Sequence, residues 1–136
     1  MDMNGLINLS THHLATFLLT ELPSLSEDWW KNNVNDRLSF QQQRLVKERG
    51  ITSLEELDFA ALIRILDQNW FDLSNTLNFP RNGRNWIKEA QSVRNRWAHL
   101  SSESISPETL FRDVDTLSKV LDMIGVDLEK VEWAEH

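Results

Sequence analysis

Cysteine is absent from this 136-residue chain, and with it disulfide frameworks, zinc–thiolate sites and cysteine nucleophiles. The lack fits a reducing compartment, so a cytoplasmic location is expected. Glycine (4) and proline (3) are scarce and tyrosine is missing, whereas an all-β protein needs a turn signal about every 8–12 residues. Helices are therefore the default. No apolar run approaches the ~18 residues of a membrane span, and no basic stretch leads into a short apolar segment near Met1. Neither a membrane protein nor a secreted one is expected. The chain also lacks a G-x-x-x-x-G-K loop, a His-Glu-x-x-His pair and a carboxylate cluster suited to two-metal catalysis. No metal or cofactor is expected; His12 and His13 have no carboxylate at ligand spacing.

What is present describes an ordinary globular domain, with 40% apolar and 26% charged residues. The length suits a single domain over 1–136, with 126–136 as a tail or linker. The formal charge of −7 is spread unevenly. Between Arg81 and Leu100 five basic residues oppose Glu89 alone, a net of +4 that leaves −11 for the remainder. A general nucleic-acid coat is basic over a broad surface. One basic segment in an acidic chain suits a local, phosphate-sized target instead.

Apolar spacing predicts five helical segments. The first runs from about Asn4 to Leu22 before Pro23, and the second from about Ser26 to Gly50, carrying Trp30, Val34, Leu38 and Leu45. Ser53-Leu54-Glu55-Glu56 has capping-box spacing and opens the third, whose stripe (Phe59, Leu62, Ile63, Leu66, Trp70, Leu73) reaches Leu77. The fourth spans about Arg84 to Trp97. The fifth starts on Ser106-Pro107-Glu108, repeats Leu110, Val114, Leu117, Leu121 and Ile124, and stops at Gly125. Short connections between such helices imply an all-α, up-down antiparallel bundle of four to five helices.

The fourth helix carries the polar chemistry. At ~100° per residue, Trp86, Ala90, Val93 and Trp97 fall within roughly 40° of one another and face the core. Arg84, Lys88, Gln91, Asn95 and His99 fall on the opposite side, and Arg94 flanks the core edge near 80°. Arg94 and His99 lie about 140° apart, so they converge only if the helix ends near Trp97 or a second chain completes the site.

Arg94-Asn95-Arg96-Trp97-Ala98-His99 reads as arginine, polar residue, three intervening residues, histidine. This resembles the motif of the HEPN superfamily of small helical RNases and related domains. The wider pattern, Val93 to His99, then Ser106-Pro107-Glu108 and Phe111-Arg112-Asp113-Val114-Asp115-Thr116-Leu117, is similar to one branch. That branch accompanies a PIN nuclease in a eukaryotic mRNA quality-control endonuclease and is fused to large ATPases at bacterial phage-defence loci. Asp67-Gln68-Asn69-Trp70 and Asp28-Trp29-Trp30 resemble it too, and the likeness is best over 57–125.

The resemblance implies a metal-independent endoribonuclease acting as a homodimer, with RNA as partner, in phage defence or as a toxin effector. Attack of a ribose 2′-OH on the adjacent phosphate needs a base and an acid near neutral pH, which two histidines from two protomers supply. Arg94 would hold the phosphate, and Asn95 the imidazole or a phosphate oxygen. Arg96, Lys88, Arg84 and Arg81 are candidates for flanking phosphates, and Arg112 and Asp115 for orienting the site from the next helix. Plainer roles stand beside these: a solvated face for Arg84 and Lys88, an ion pair for Arg96, an Arg112–Asp115 intrahelical pair, core packing for the tryptophans. The competing function is a catalytically silent dimerisation or partner-binding module of a larger defence protein, fused to or associated with an ATPase or nuclease. A third is a DNA-reading helix-turn-helix formed by the third and fourth segments.

Overall fold

The computed structural model describes residues 3–99 and 105–130, with the backbone alone at position 99. α1 (Met3–Glu21) buries Met3, Leu6, Ser10, Leu14, Ala15 and Leu18 at spacings of mostly three and four. Ser10 is tolerated in that stripe because its hydroxyl donates to the Leu6 carbonyl at 2.8 Å. Pro23 ends the helix in a single 3₁₀ turn, Leu22–Ser24. His12 and His13 meet edge to face on α1 at 5.3 Å. Burial, and then the neighbouring His12, lower the His13 pKa from its ordinary value.

The second predicted helix is instead broken into pieces. A wide π turn covers Trp30–Val34, a 3₁₀ turn Asn35–Arg37, and α2 only Phe40–Arg49. The cause is a second capping box. The Ser39 hydroxyl accepts from the Gln42 amide at 3.2 Å, while Gln42 Oε1 accepts from the Ser39 amide at 3.0 Å. Gly50, at φ 61°, closes α2 where expected.

The Ser53–Glu56 box forms, but over the 3₁₀ turn Leu54–Glu56. The Glu56 carboxylate accepts from the Thr52 and Ser53 amides and the Ser53 hydroxyl at 3.0 Å each. Those donors, the Thr52 amide foremost, hold its pKa below the usual carboxylate value. α3 (Phe59–Gln68) starts later, on Asp58, which accepts from the Ala61 amide at 2.9 Å. It also stops early. Asn69 leaves the helical region (φ −102°, ψ 15°), and α4 (Trp70–Leu77) follows as a separate helix. The Asn69 side chain donates to Ile65 O at 2.7 Å and Asn33 O at 2.9 Å, and accepts from Asn33 Nδ2 at 2.9 Å. This buried amide pair fastens the π turn to the α3–α4 break. α5 (Gly83–His99) and α6 (Pro107–Met123) match their predicted positions closely, with Ser106 accepting from the Thr109 amide at 3.2 Å.

α1, α3, α5 and α6 form a closed ring in which α3 and α6 each touch both α1 and α5. Pairings fix the directions. Asp67 meets Arg84 and Lys88 while Ala60 to Arg64 face Gln91 to Asn95, so α3 and α5 are antiparallel. Glu89 pairs with Thr116 and Arg96 with Asp113, so α5 and α6 are antiparallel too. α1 joins them through the long 22–58 connection, its C-terminal half sharing a groove with the C-terminal end of α6. Leu14, Leu18, Leu22, Leu62, Ile65, Leu66, Ile87 and Leu121 are wholly inaccessible at the centre. Among the described residues there is no strand, and no helix is long and apolar enough to cross a membrane.

Candidate functional site

α5 is wedged between α3 and α6, and this decides where its polar residues go. Its fully buried line is Gly83, Ile87, Ala90 and Val93, one position round from the line drawn through Trp86 and Trp97. Small residues let both neighbours approach; a Cβ on Gly83 would stand 2.5 Å from Met123 Sδ and 2.7 Å from Trp70 Cη2. The two indoles sit half-buried at the seams. Trp86 lies under Lys119, with Nζ 5.9 Å from the ring, and Trp97 Nε1 donates to Asp113 Oδ2 at 2.9 Å.

The predicted basic strip is therefore not a free face. Arg84 Nε and Lys88 Nζ stand 3.2 and 3.4 Å from the carboxylate of Asp67, which is 4% exposed. Arg84 also lies over the Phe71 ring at 5.5 Å. Arg96 makes a two-pronged pair with Asp113, at 3.1 Å from Nε and 2.9 Å from Nη2. Asp113 is 1% exposed, so this pair locks the last turns of α5 to α6. Arg81 is exposed in the turn before α5 and has no ion pair among the described residues. On α6, Asp115 pairs with Lys119 at 3.0 Å and not with Arg112. Arg112 is exposed and shares a shallow recess with Glu89, Arg96 and Asp113.

Arg94 behaves differently. It is half-buried, its guanidinium touches Asn95 Oδ1 at 3.4 Å, and no carboxylate pairs with it among the described residues. With Gln91 and Asn95 it lines a cavity of about 280 Å³ against Gln42 of α2 and Arg64 of α3. His99 is the last residue of α5; its imidazole lies outside the described residues. Because the helix is regular through position 99, positions 94 and 99 are about 140° apart around its axis. A larger groove, of about 620 Å³, lies at the far end of α1 among His13, Phe17, Phe79 and Met123, and contains none of the motif residues.

Arg64 and Gln42 were not among the residues read from the sequence as candidates. Each left a signal: Arg64 is the one cation in α3, set in an apolar run from Phe59 to Leu66, and Gln42 completes a Ser-x-x-Gln box. Among the described residues, no group of three histidine or carboxylate side chains is placed to hold a metal ion.

Fold and site together define an all-helical domain whose penultimate helix presents an arginine at a cavity and ends on a histidine. Residues 6–125 match the model of the Swt1-like HEPN family. The chain belongs to that family, and the likeness seen in the Arg94–His99 segment and α6 extends through α1 as well. No match is found among solved structures.

Proposed function

We propose that this domain is a metal-independent endoribonuclease that works as a homodimer. One observation carries the reading. Of the four cations on α5, Arg84 and Lys88 share the buried carboxylate of Asp67 and Arg96 pairs with buried Asp113, whereas Arg94 faces a cavity with no acidic partner among the described residues. A half-buried guanidinium with no carboxylate beside it is poised for an anion. In the proposed reaction the ribose 2′-oxygen bonds to phosphorus and the P–O5′ bond breaks. One imidazole takes the 2′-OH proton and a second, protonated, gives one to the leaving 5′-oxygen. Arg94 stabilises charge on the phosphate oxygens, and Asn95 lies beside it. The continuation of α5 through position 99 favours a site in which His99 of each protomer works with Arg94 of the other. The setting we infer is the cytoplasm, in phage defence or as a toxin effector, alone or joined to a larger ATPase or nuclease.

Pairing of Arg84 and Lys88 with Asp67, and of Arg96 with Asp113, favours a second reading, a silent dimerisation module, because it leaves less cationic surface for RNA. Incubation with single-stranded RNA in EDTA separates the two. The nuclease reading expects 2′,3′-cyclic phosphate ends and, in His99→Ala, a rate lower by about 100-fold or more. An intact dimer that leaves RNA uncut at every protein concentration, or cleavage indifferent to His99→Ala, overturns it.

A further inference from the structure

The geometry points to a dedicated phosphate pocket in which Arg64, a residue outside the motif, is the second cation; the inference rests on the nuclease reading for the RNA it assigns as ligand. Donors outnumber acceptors around the cavity of about 280 Å³ between α2, α3 and α5. Gln42 has its oxygen occupied by the Ser39 amide at 3.0 Å, so it offers a ligand its NH₂ group. Arg64 spends Nε on the Arg37 carbonyl at 2.9 Å, which leaves the two terminal nitrogens of its fork. Asn95 has its oxygen turned to Arg94 at 3.4 Å, so it too offers NH₂. Arg94 contributes most of a second fork, and Gln91 is the one member with both amide ends uncommitted among the hydrogen bonds described.

The cavity is thus rich in donors, poor in acceptors, doubly positive and free of lining carboxylates among the described residues. Its complement is a small anion with several acceptor oxygens and no donors. A phosphate group fits that description; a nucleobase edge, which mixes donors and acceptors, does not. The volume lies at the bottom of the usual range for ligand sites, about 300–1,000 Å³, and suits one phosphate with its adjoining sugar rather than a folded substrate. Buried Ile63 forms part of the wall. Arg64 acts on binding and register: it fixes which phosphate sits against Arg94.

The phosphate can be an internal diester or a terminal monoester, and the test separates them. Fluorescent 2′-O-methyl RNA hexamers, uncleavable because the nucleophile is blocked, are titrated into the full chain with a 5′-hydroxyl or a 5′-phosphate. Similar affinities assign an internal diester; binding of the phosphorylated hexamer alone assigns a terminal group. Arg64→Gln is expected to weaken binding about tenfold, as loss of a charged hydrogen-bonding partner does. Arg64→Lys recovers part of it, Gln91→Leu weakens it severalfold, and inorganic phosphate competes. Lys31→Gln, on an exposed pair with Asp36, reports any effect of net charge alone. A folded Arg64→Gln protein that binds within twofold of the parent overturns the proposal, as does an equal loss in Lys31→Gln. Gln91→Leu keeps the question open to measurement if Arg64→Gln fails to fold. Arg64-dependent binding without RNA cleavage leaves the pocket standing and removes the nuclease. Cleavage with Arg64-independent binding does the reverse.

Discussion

Asp113 accepts three hydrogen bonds from α5, two from Arg96 and one from the Trp97 indole, while 1% exposed. A buried carboxylate is costly unless its partners are well placed, and here they are. Removing one partner of a buried pair costs about 3–5 kcal/mol, and screening of the partly open Arg96 (29% exposed) brings the expectation for Asp113→Asn to about 2–3 kcal/mol. Asp115→Asn breaks a pair that is about half exposed on both sides and should cost under ~0.5 kcal/mol. Urea unfolding of the two variants checks the contrast; equal losses would show that Asp113 is not an anchor. The consequence for the site is positional, since Asp113 grips α5 two and three residues before His99. Helical angle alone places Arg94 at the core's edge and leaves open an ion pair for Arg96. It could not name Asp113, because a pairing across 17 positions depends on the register of α6 against α5. The same limit hid Arg64 from the candidate site: nothing local says that α3 turns this cation toward Arg94.

Between elements, Asn69 sets two tendencies against each other. Alanine there is the better helix former by about 0.5 kcal/mol and would let α3 run into α4. Asn69, however, is 1% exposed and satisfies the amide of Asn33, itself 5% exposed. Orphaning a buried polar group costs about 1–3 kcal/mol, which exceeds the gain in propensity. Asn69→Ala should therefore destabilise the protein by about 1–2 kcal/mol in chemical unfolding, and an increase in stability would refute the role given to the amide pair. This conflict also explains what periodicity missed. The apolar stripe from Phe59 through Leu73 keeps helical spacing across the break, because burial continues on both sides while a side chain bends the backbone. Likewise Val34 and Leu38 are buried as the helical pattern expects, yet Ser39 restarts the chain between them and α2. α5, and α6 with its Ser106 cap and Pro107 start, lie within about two residues of the bounds read from the sequence.

At the scale of the whole molecule, a chain of net charge −7 that binds RNA must do so at a point. Two arrangements make different demands on salt. A strip using Arg81, Arg84, Lys88 and Arg96 with the two pocket arginines would engage about six phosphates, and the pocket alone about two. For single strands the logarithmic salt slope is about −0.7 per phosphate, hence about −4 for the strip and about −1.4 for the pocket. Three of the four strip cations are already paired with Asp67 or Asp113, so a phosphate would have to displace a buried carboxylate. The acidic remainder acts in the same direction, because added salt screens its repulsion of RNA while weakening the local attraction. Titrations of a 2′-O-methyl decamer between 50 and 200 mM KCl should thus give a slope no steeper than about −1.4. A slope near −4 would mean that the aspartates release their cations on binding, and that the charge pattern of α5 is a switch rather than a scaffold.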